Sequence, residues 1–199
     1  MIGIIYHMRY RAEHKQETRR RIVRAASRRF RSRGGEGITI AGLMRDLRLT
    51  HGGFYRHFAS KQELYAEAIG AALRESETYL SQAAEASPGN ELRALISTYL
   101  SVAHCRNAAQ GCLYAALASE IGRRPRAVRA AFEAALAEHT RNMARFLPGK
   151  SAEERERNSV LLFSGMAGAL NVARAVNDEG KRQRILDLSR EFYIKAFCR

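Results

Sequence analysis

The chain holds 199 residues, carries a net charge of +14 and has three cysteines, three prolines and no tryptophan. No segment reaches the roughly 18–20 consecutive apolar residues of a membrane helix, Met1–Met8 lacks the small-residue cleavage site of a secretory leader, and an odd cysteine count builds no disulfide framework; the expected compartment is the cytoplasm. Fourteen Arg or Lys lie within residues 1–60 against four acids (Glu13, Glu17, Glu36 and Asp46), so +10 of the charge sits in the first third, which suits a polyanion partner.

Arg9, Arg11 and Lys15 come first, in a stretch with little helical pattern. They read as an arm, disordered in the free protein, that orders on a nucleic-acid backbone or in its minor groove. The first helix is expected from Glu17 to Arg33, with Ile22, Val23, Ala26 and Phe30 on one stripe and Gly34-Gly35 at its end. Ile40, Leu43, Met44 and Leu47 then recur at i, i+3, i+4 and i+7, and Thr39 stands where a cap belongs. After Arg48-Leu49, Thr50 caps a second short helix, expected to reach Phe58. It carries Gly52 and Gly53, each costing roughly 1 kcal/mol relative to Ala. Its polar residues, His51, Tyr55, Arg56 and His57, are donors suited to phosphates and base edges, and the glycines allow close approach. The layout is a helix-turn-helix whose second helix reads DNA.

Ser60 and Glu63 have capping-box spacing and open a long helix over Lys61–Ala86. Pro88-Gly89 break the chain, and a helix follows from Asn90 to Cys105. Residues 106–110 read as a loop, and Gly111–Ile121 as a buried apolar helix. Pro125 suits the first turn of the next helix, which runs to Leu147 before Pro148-Gly149. Ser151 and Glu154 repeat the capping box before a helix over Ala152–Val176. Gly180 separates it from a last helix, Lys181–Phe197. The expected fold class is therefore all-α, with nine helices.

Cys105 and Cys112 lie seven residues apart but lack two further ligands at zinc spacing, so no metal site is expected. His104 and His139 have no nucleophile or carboxylate at telling spacing, and no phosphate loop or dinucleotide fingerprint is present, so neither catalysis nor a cofactor is expected.

The head resembles the TetR family of bacterial regulators. That family's segment reads T-x-x-x-I-x-x-x-x-G-[VL]-[ST]-x-G-x-[LF]-Y-x-H-F-x-S-K-x-x-L, matched here by Thr39, Leu43, Leu49, Thr50, Gly52, Phe54, Tyr55, His57, Phe58, Ser60, Lys61 and Leu64. Its upstream T-R-x-x-I-x-x-A-A-x-x-x-F-x-x-x-G is matched by Thr18, Arg19, Ile22, Ala25, Ala26, Phe30 and Gly34. One position departs: Arg48 stands where the family has Gly, at a cost of about 1–2 kcal/mol if that residue needs positive φ.

The resemblance implies a three-helix DNA-binding head over residues 1–60 and a six-helix ligand-binding and dimerisation body over 61–199. It implies a homodimer on a palindromic operator in double-stranded DNA, a small-molecule effector, repression, and no membrane partner. By family position, the DNA contacts would come from Thr39, Thr50, His51, Gly52, Gly53, Tyr55, Arg56, His57 and Lys61. The effector would sit among Tyr99, His104, Cys112, Tyr114, Met143, Phe163 and Met166, with Leu117, Phe132, Leu136 and Phe146 on the same helices. The last two helices would pair with their copies through Leu161, Gly165, Gly168, Leu170, Ile185, Leu188 and Phe192. Three other readings stand beside this one: a redox or electrophile sensor using Cys112, a small-molecule or thiol-reactive enzyme with a helical body, and a non-specific basic protein of nucleic acid or membrane surfaces. Sensing would need an accessible, low-pKa thiolate.

Overall fold

The computed structural model describes residues 2–35 and 37–198; the side chains of residues 2–12 lie outside the described part. All regular structure among the described residues is helical. In chain order the helices are α1 (Ile2–Arg33), α2 (Ile40–Asp46), α3 (His51–Phe54), α4 (Lys61–Glu85), α5 (Glu91–Tyr99), α6 (Val102–Arg106), α7 (Leu113–Ile121), α8 (Arg126–Ala144), α9 (Ala152–Ala175) and α10 (Glu179–Phe197). The nine expected helices thus appear as ten segments.

The differences from expectation have local causes. The segment read as an arm continues α1 back to Ile2, because Arg, Ala, Glu, Lys and Gln are good helix formers and no proline interrupts them. The side chains of Arg9 and Arg11 lie outside the described part. The helix expected over 90–105 stops at Leu100 and restarts, since the Ser101 hydroxyl accepts from the His104 N–H (3.1 Å) and caps α6. Gly180 falls inside α10, because the Asp178 carboxylate accepts from the Lys181 N–H (2.7 Å) and starts that helix two residues earlier. Both capping boxes are present: Ser60 and Ser151 accept from the Glu63 and Glu154 amides at 3.1 Å each, and the two glutamates reach back to Ala59 N–H (2.6 Å) and Lys150 N–H (2.8 Å).

Two apolar cores result. The first gathers Ile22, Ala26 and Phe30 of α1, Leu43 and Met44 of α2, Phe54, Phe58, and Leu64 to Leu73 of α4. Phe54 and Phe58 are fully buried and stacked, with ring centroids 5.4 Å apart; each such side chain contributes roughly 1.5–3 kcal/mol. The second core gathers Leu80 and Ala84 of α4 with Leu95, Ile96, Tyr99, Leu162, Met166 and Leu170. Helix α4 therefore serves both. It packs mainly against α8, α1 and α5, and α9 packs against α10 and α8.

Candidate nucleic-acid interface and body cavity

The helix-turn-helix is held by backbone caps and a buried aromatic floor. Thr39 and Thr50 sit in extended backbone, and their hydroxyls accept from Gly42 N–H and Gly53 N–H at 3.1 Å each. The turn between them depends on Arg48, whose φ is +57°. This is the left-handed conformation the substitution for glycine puts at issue, and it costs about 1–2 kcal/mol in a residue with a Cβ. Helix α3 is shorter than expected: beyond Phe54 the chain continues as tight turns, with His57 N–H on the Phe54 carbonyl at 2.9 Å. Two glycines in four residues leave too little propensity for a longer helix.

What this floor presents outward is polar and, among the described residues, unpaired. Tyr55 is 58% exposed although a tyrosine ring would gain by burial, and its ring meets the edge of exposed His51 at 5.8 Å. A Cβ on Gly52 would meet nothing within 4 Å, so the glycine is not required by the free fold. Arg45, Arg48 and Arg56 are exposed and make no ion pair among the described residues. His57 is half-buried, and burial, with Lys15, Arg19 and Arg56 nearby, lowers its pKa. Lys61 stands at the start of α4, half-buried, where backbone amides and the dipole favour an anion. By contrast Arg19 is engaged internally: it bonds Glu63 and Glu67 (3.0 and 2.7 Å) and lies over the Phe58 ring at 4.1 Å, fixing α1 to α4.

Two polar joints tie the head to the body. Glu120 of α7 accepts from Gly35 N–H (2.9 Å), the Tyr65 hydroxyl (3.0 Å) and the Arg124 guanidinium. These donors hold its carboxyl below the usual range against the opposing effect of burial. A Cβ on Gly35 would run into Glu120 and the Tyr65 ring, so this close approach needs glycine. The second joint is Arg31, whose buried guanidinium donates to the Gly111 carbonyl (3.0 Å) and pairs with Glu75. Beyond Gly111, the Cys112 N–H donates to His104 Nε2 (2.9 Å), so Nδ1 carries the proton and donates to the Tyr99 carbonyl (2.6 Å). His104 is thereby a neutral structural residue, its pKa lowered by burial.

The body holds a partly open cavity of about 380 Å³ between α7, α8 and α9, within the usual range for small-molecule sites. Tyr114 and Phe163, expected there, do line it, as do Phe132 and Leu136. Tyr99, Cys112, Met143 and Met166 do not; they are buried in the second core, where a side chain at helical spacing meets protein rather than space. His104 is taken up by the backbone joint just described. The sequence reading missed His139, Thr140, Ser159 and Asn171 of the wall. The lack of any sequence partner for His139 was the one available signal. Cys112 also lacks both requirements for sensing: it is 2% exposed, and burial pushes its thiol pKa up.

Helices α9 and α10 leave Leu161 and Val172, about three turns apart on α9, and Leu188 and Phe192, about one turn apart on α10, exposed (57, 56, 55 and 64%). Monomeric surfaces seldom leave such residues grouped. Ile185 is half-buried and Gly168 is exposed at the cavity wall. Leu170 is fully buried inside the subunit, so it cannot reach a second one. Gly165 is closed off by Tyr193 of α10, whose ring a Cβ would strike; its lack of a side chain serves packing within the chain.

Among the described residues no cluster of three potential metal ligands occurs, and no helix is long and apolar enough to cross a membrane.

Comparison with known proteins agrees with this arrangement. Residues 22–68 match the bacterial regulatory proteins of the tetR family, and residues 88–187 match the tetracyclin repressor-like C-terminal domain. The HTH-type transcriptional regulator TtgR of Pseudomonas putida is 38% identical over 73 residues, 37% of this chain and 34% of that protein. A probable HTH-type transcriptional regulator from the same species, ArpR, matches to the same extent. The chain thus matches about a third of the length of these relatives. Among solved structures, a TetR-family regulator from Cytophaga hutchinsonii superposes with a TM-score of 0.73 at 15% identity, covering 92% of this chain and 96% of that one. One from Chloroflexus aurantiacus gives 0.71 at 21% identity with the same coverage. E. coli NemR in its reduced form gives 0.67 at 17% identity, covering 91% and 97%. At such identities these likenesses concern the fold.

Proposed function

Because the chain belongs to the TetR family of bacterial regulatory proteins, a family of DNA-binding transcriptional regulators, we propose that it is a ligand-responsive repressor that binds a palindromic operator as a homodimer. The observation that carries this reading is the surface built on α3: exposed His51, Tyr55 and Arg56 around a glycine with open space before it, on a rigid aromatic floor. Thr39, Thr50, His57 and Lys61 hold phosphates beside it, while His51, Gly52, Gly53 and Tyr55 approach base edges or the adjacent backbone. Residues 1–60 form the DNA-binding unit and residues 61–199 the effector and dimerisation unit.

Coupling runs through α7. The helix carries Tyr114 in the cavity wall and Glu120 on the end of α1 and on Tyr65 of α4. An effector that favours one placement of α7 therefore biases the placement of the head. Release of DNA follows from differential affinity for the two states. The exposed group Leu161, Val172, Leu188 and Phe192 meets its copy in the dimer.

Gel-shift titration against the protected DNA tests the reading. Lys61→Ala is expected to weaken binding and lower the salt slope by about one; Tyr55→Phe and Gly52→Val are expected to weaken it as well. Unchanged affinity in all three would remove α3 from the mechanism. Leu188→Glu, a charge desolvated at the interface, is expected to sediment as a monomer, and a fully dimeric variant would place the interface elsewhere.

A further inference from the structure

The cavity between α7, α8 and α9 holds an unusual set of polar atoms. Buried polar groups are nearly always paired. Here the Tyr114 hydroxyl, both ring nitrogens of His139 and the Ser159 hydroxyl are buried without a hydrogen-bond partner among the described residues. All three residues line the same cavity, one from each of its helices. His139 and Ser159 are 2% and 1% exposed. The carboxylate nearest the imidazole, that of Glu77, is 3.9 Å from Nδ1, beyond hydrogen-bond distance.

The remaining wall is uncharged: Phe132, Leu136 and Phe163 are prominent, beside the polar Ser119, Thr140, Ser164 and Asn171. Its aromatic groups are already arranged edge to face: Tyr114 meets Phe132 at 6.0 Å and His139 at 5.4 Å, and His139 meets Phe163 at 4.8 Å. No Asp, Glu, Lys or Arg lines the space. A charged guest would be desolvated with no counter-charge. A purely apolar guest would leave three polar groups without partners. An aromatic ring bearing a hydroxyl suits both features, because its ring meets the apolar part of the wall while its hydroxyl donates to an imidazole nitrogen and accepts from Tyr114 or Ser159, pairing two of these groups.

We infer that the cavity takes an uncharged aromatic molecule bearing a hydroxyl, its ring among Tyr114, Phe132 and Phe163 and its hydroxyl between His139 and Ser159. This rests on the reading of the cavity as the effector site and names the class of effector. Burial holds the imidazole neutral, its pKa lowered to about 4, so it accepts a hydrogen bond at neutral pH. The wall thus selects by hydrogen bonding as well as by size. A site built to pair a hydroxyl discriminates strongly against the analogue lacking it.

The test uses the full chain, 4-ethylphenol as probe, and ethylbenzene and 4-ethylbenzoate as analogues without the hydroxyl and with a charge. Calorimetric titration and ligand-dependent melting are expected to show binding of the phenol, with both analogues at least about tenfold weaker. Ser159→Ala, which removes a single oxygen, is expected to weaken the phenol roughly tenfold and leave ethylbenzene unchanged. His139→Phe is expected to abolish the preference for the phenol over ethylbenzene. No binding of the phenol, equal binding of phenol and ethylbenzene, or tighter binding of the benzoate would each overturn the assignment, as would a Ser159→Ala protein with unaltered preference. Operator binding measured on the same samples separates the two readings. Phenol bound without loss of DNA affinity leaves this site standing and overturns the effector role. Intact operator binding with an empty cavity overturns the site alone.

Discussion

The head and the body of this chain treat polar side chains in opposite ways. Around α3 most polar residues that await a partner are exposed, with His57 and Lys61 half-buried, and those that shape the surface are paired: Thr39 and Thr50 with backbone amides, Arg19 with Glu63 and Glu67. Around the cavity the polar atoms that await a partner are buried and surrounded by aromatic rings. The first arrangement suits a large polyanion, whose own charge and hydration make an exposed donor useful. The second suits a small guest that leaves water for a largely buried wall, where an unmet hydrogen bond costs most. One surface can thus bind without moving, whereas the other gains its partners only when filled.

Removing one side without the other puts this contrast at risk. The largest effect is expected from Phe54→Ala, which empties the head's floor and costs about 3–5 kcal/mol. Denaturant melts should show the head lost and DNA binding abolished, while ligand-dependent stabilisation of the body persists. A single cooperative loss of both would mean that the regions do not differ as described.

The next effect is a pH dependence set mainly by the body. The folded His139 has its pKa lowered to about 4, against about 6.5 when unfolded. Between those values the unfolded chain binds the additional proton, so stability falls as pH drops from about 6.5 towards 4 and is complete above 6.5. The full contribution is on the order of 3 kcal/mol at about 1.4 kcal/mol per pKa unit. His57 and His104 are lowered in the same sense and add to the slope. His139→Phe should flatten the urea-melt profile in that window; an unaltered profile would refute burial of the imidazole.

Glu120→Gln addresses the joint. It weakens charge-assisted bonds from Gly35 and Arg124, with an expected loss of about 2 kcal/mol. Effector binding should survive while effector-driven release of DNA weakens, measured by titrating one ligand in the presence of the other. The smallest effect is expected from Arg48→Gly. Relief at φ +57° is offset by the greater freedom of glycine in the unfolded chain, leaving about 1 kcal/mol of gain in the head and none in ligand affinity.

The head was legible in the sequence because its constraints are local. Thr39, Thr50 and the Ser60–Glu63 box announce helix starts, and Gly52 and Gly53 stand where propensity alone would reject them. The strain at Arg48 was also visible, as a departure from glycine. The cavity was not legible, because its wall comes from three helices far apart in sequence. Spacing places Met143 and Phe132 on inward faces alike, yet only tertiary packing decides that one meets protein and the other meets space. Leu170 was misplaced for the same reason: an apolar residue on a helix with two apolar faces does not declare which neighbour it serves. Ser101 went unread as a cap because it stands in a run otherwise suited to a continuous helix.

Helix α4 has a further consequence for anyone exchanging parts between such regulators. Its first half, Leu64 to Leu73, closes one core and its second, Leu80 and Ala84, closes the other. A chimaera spliced at residue 60 would hand the donor head a foreign lid and strand Tyr65 away from Phe30, whose ring it meets at 4.4 Å. A splice between Leu73 and Leu80 keeps each half of α4 with its own side, but Leu113, Leu117, Ile121 and Val128 of α7 and α8 still close the first core across the graft. It still has to match Arg31 with Gly111 and Gly35 with Glu120 across the graft. Interchangeability of heads and bodies is therefore decided by a few side chains around one helical seam rather than by the length of the linker.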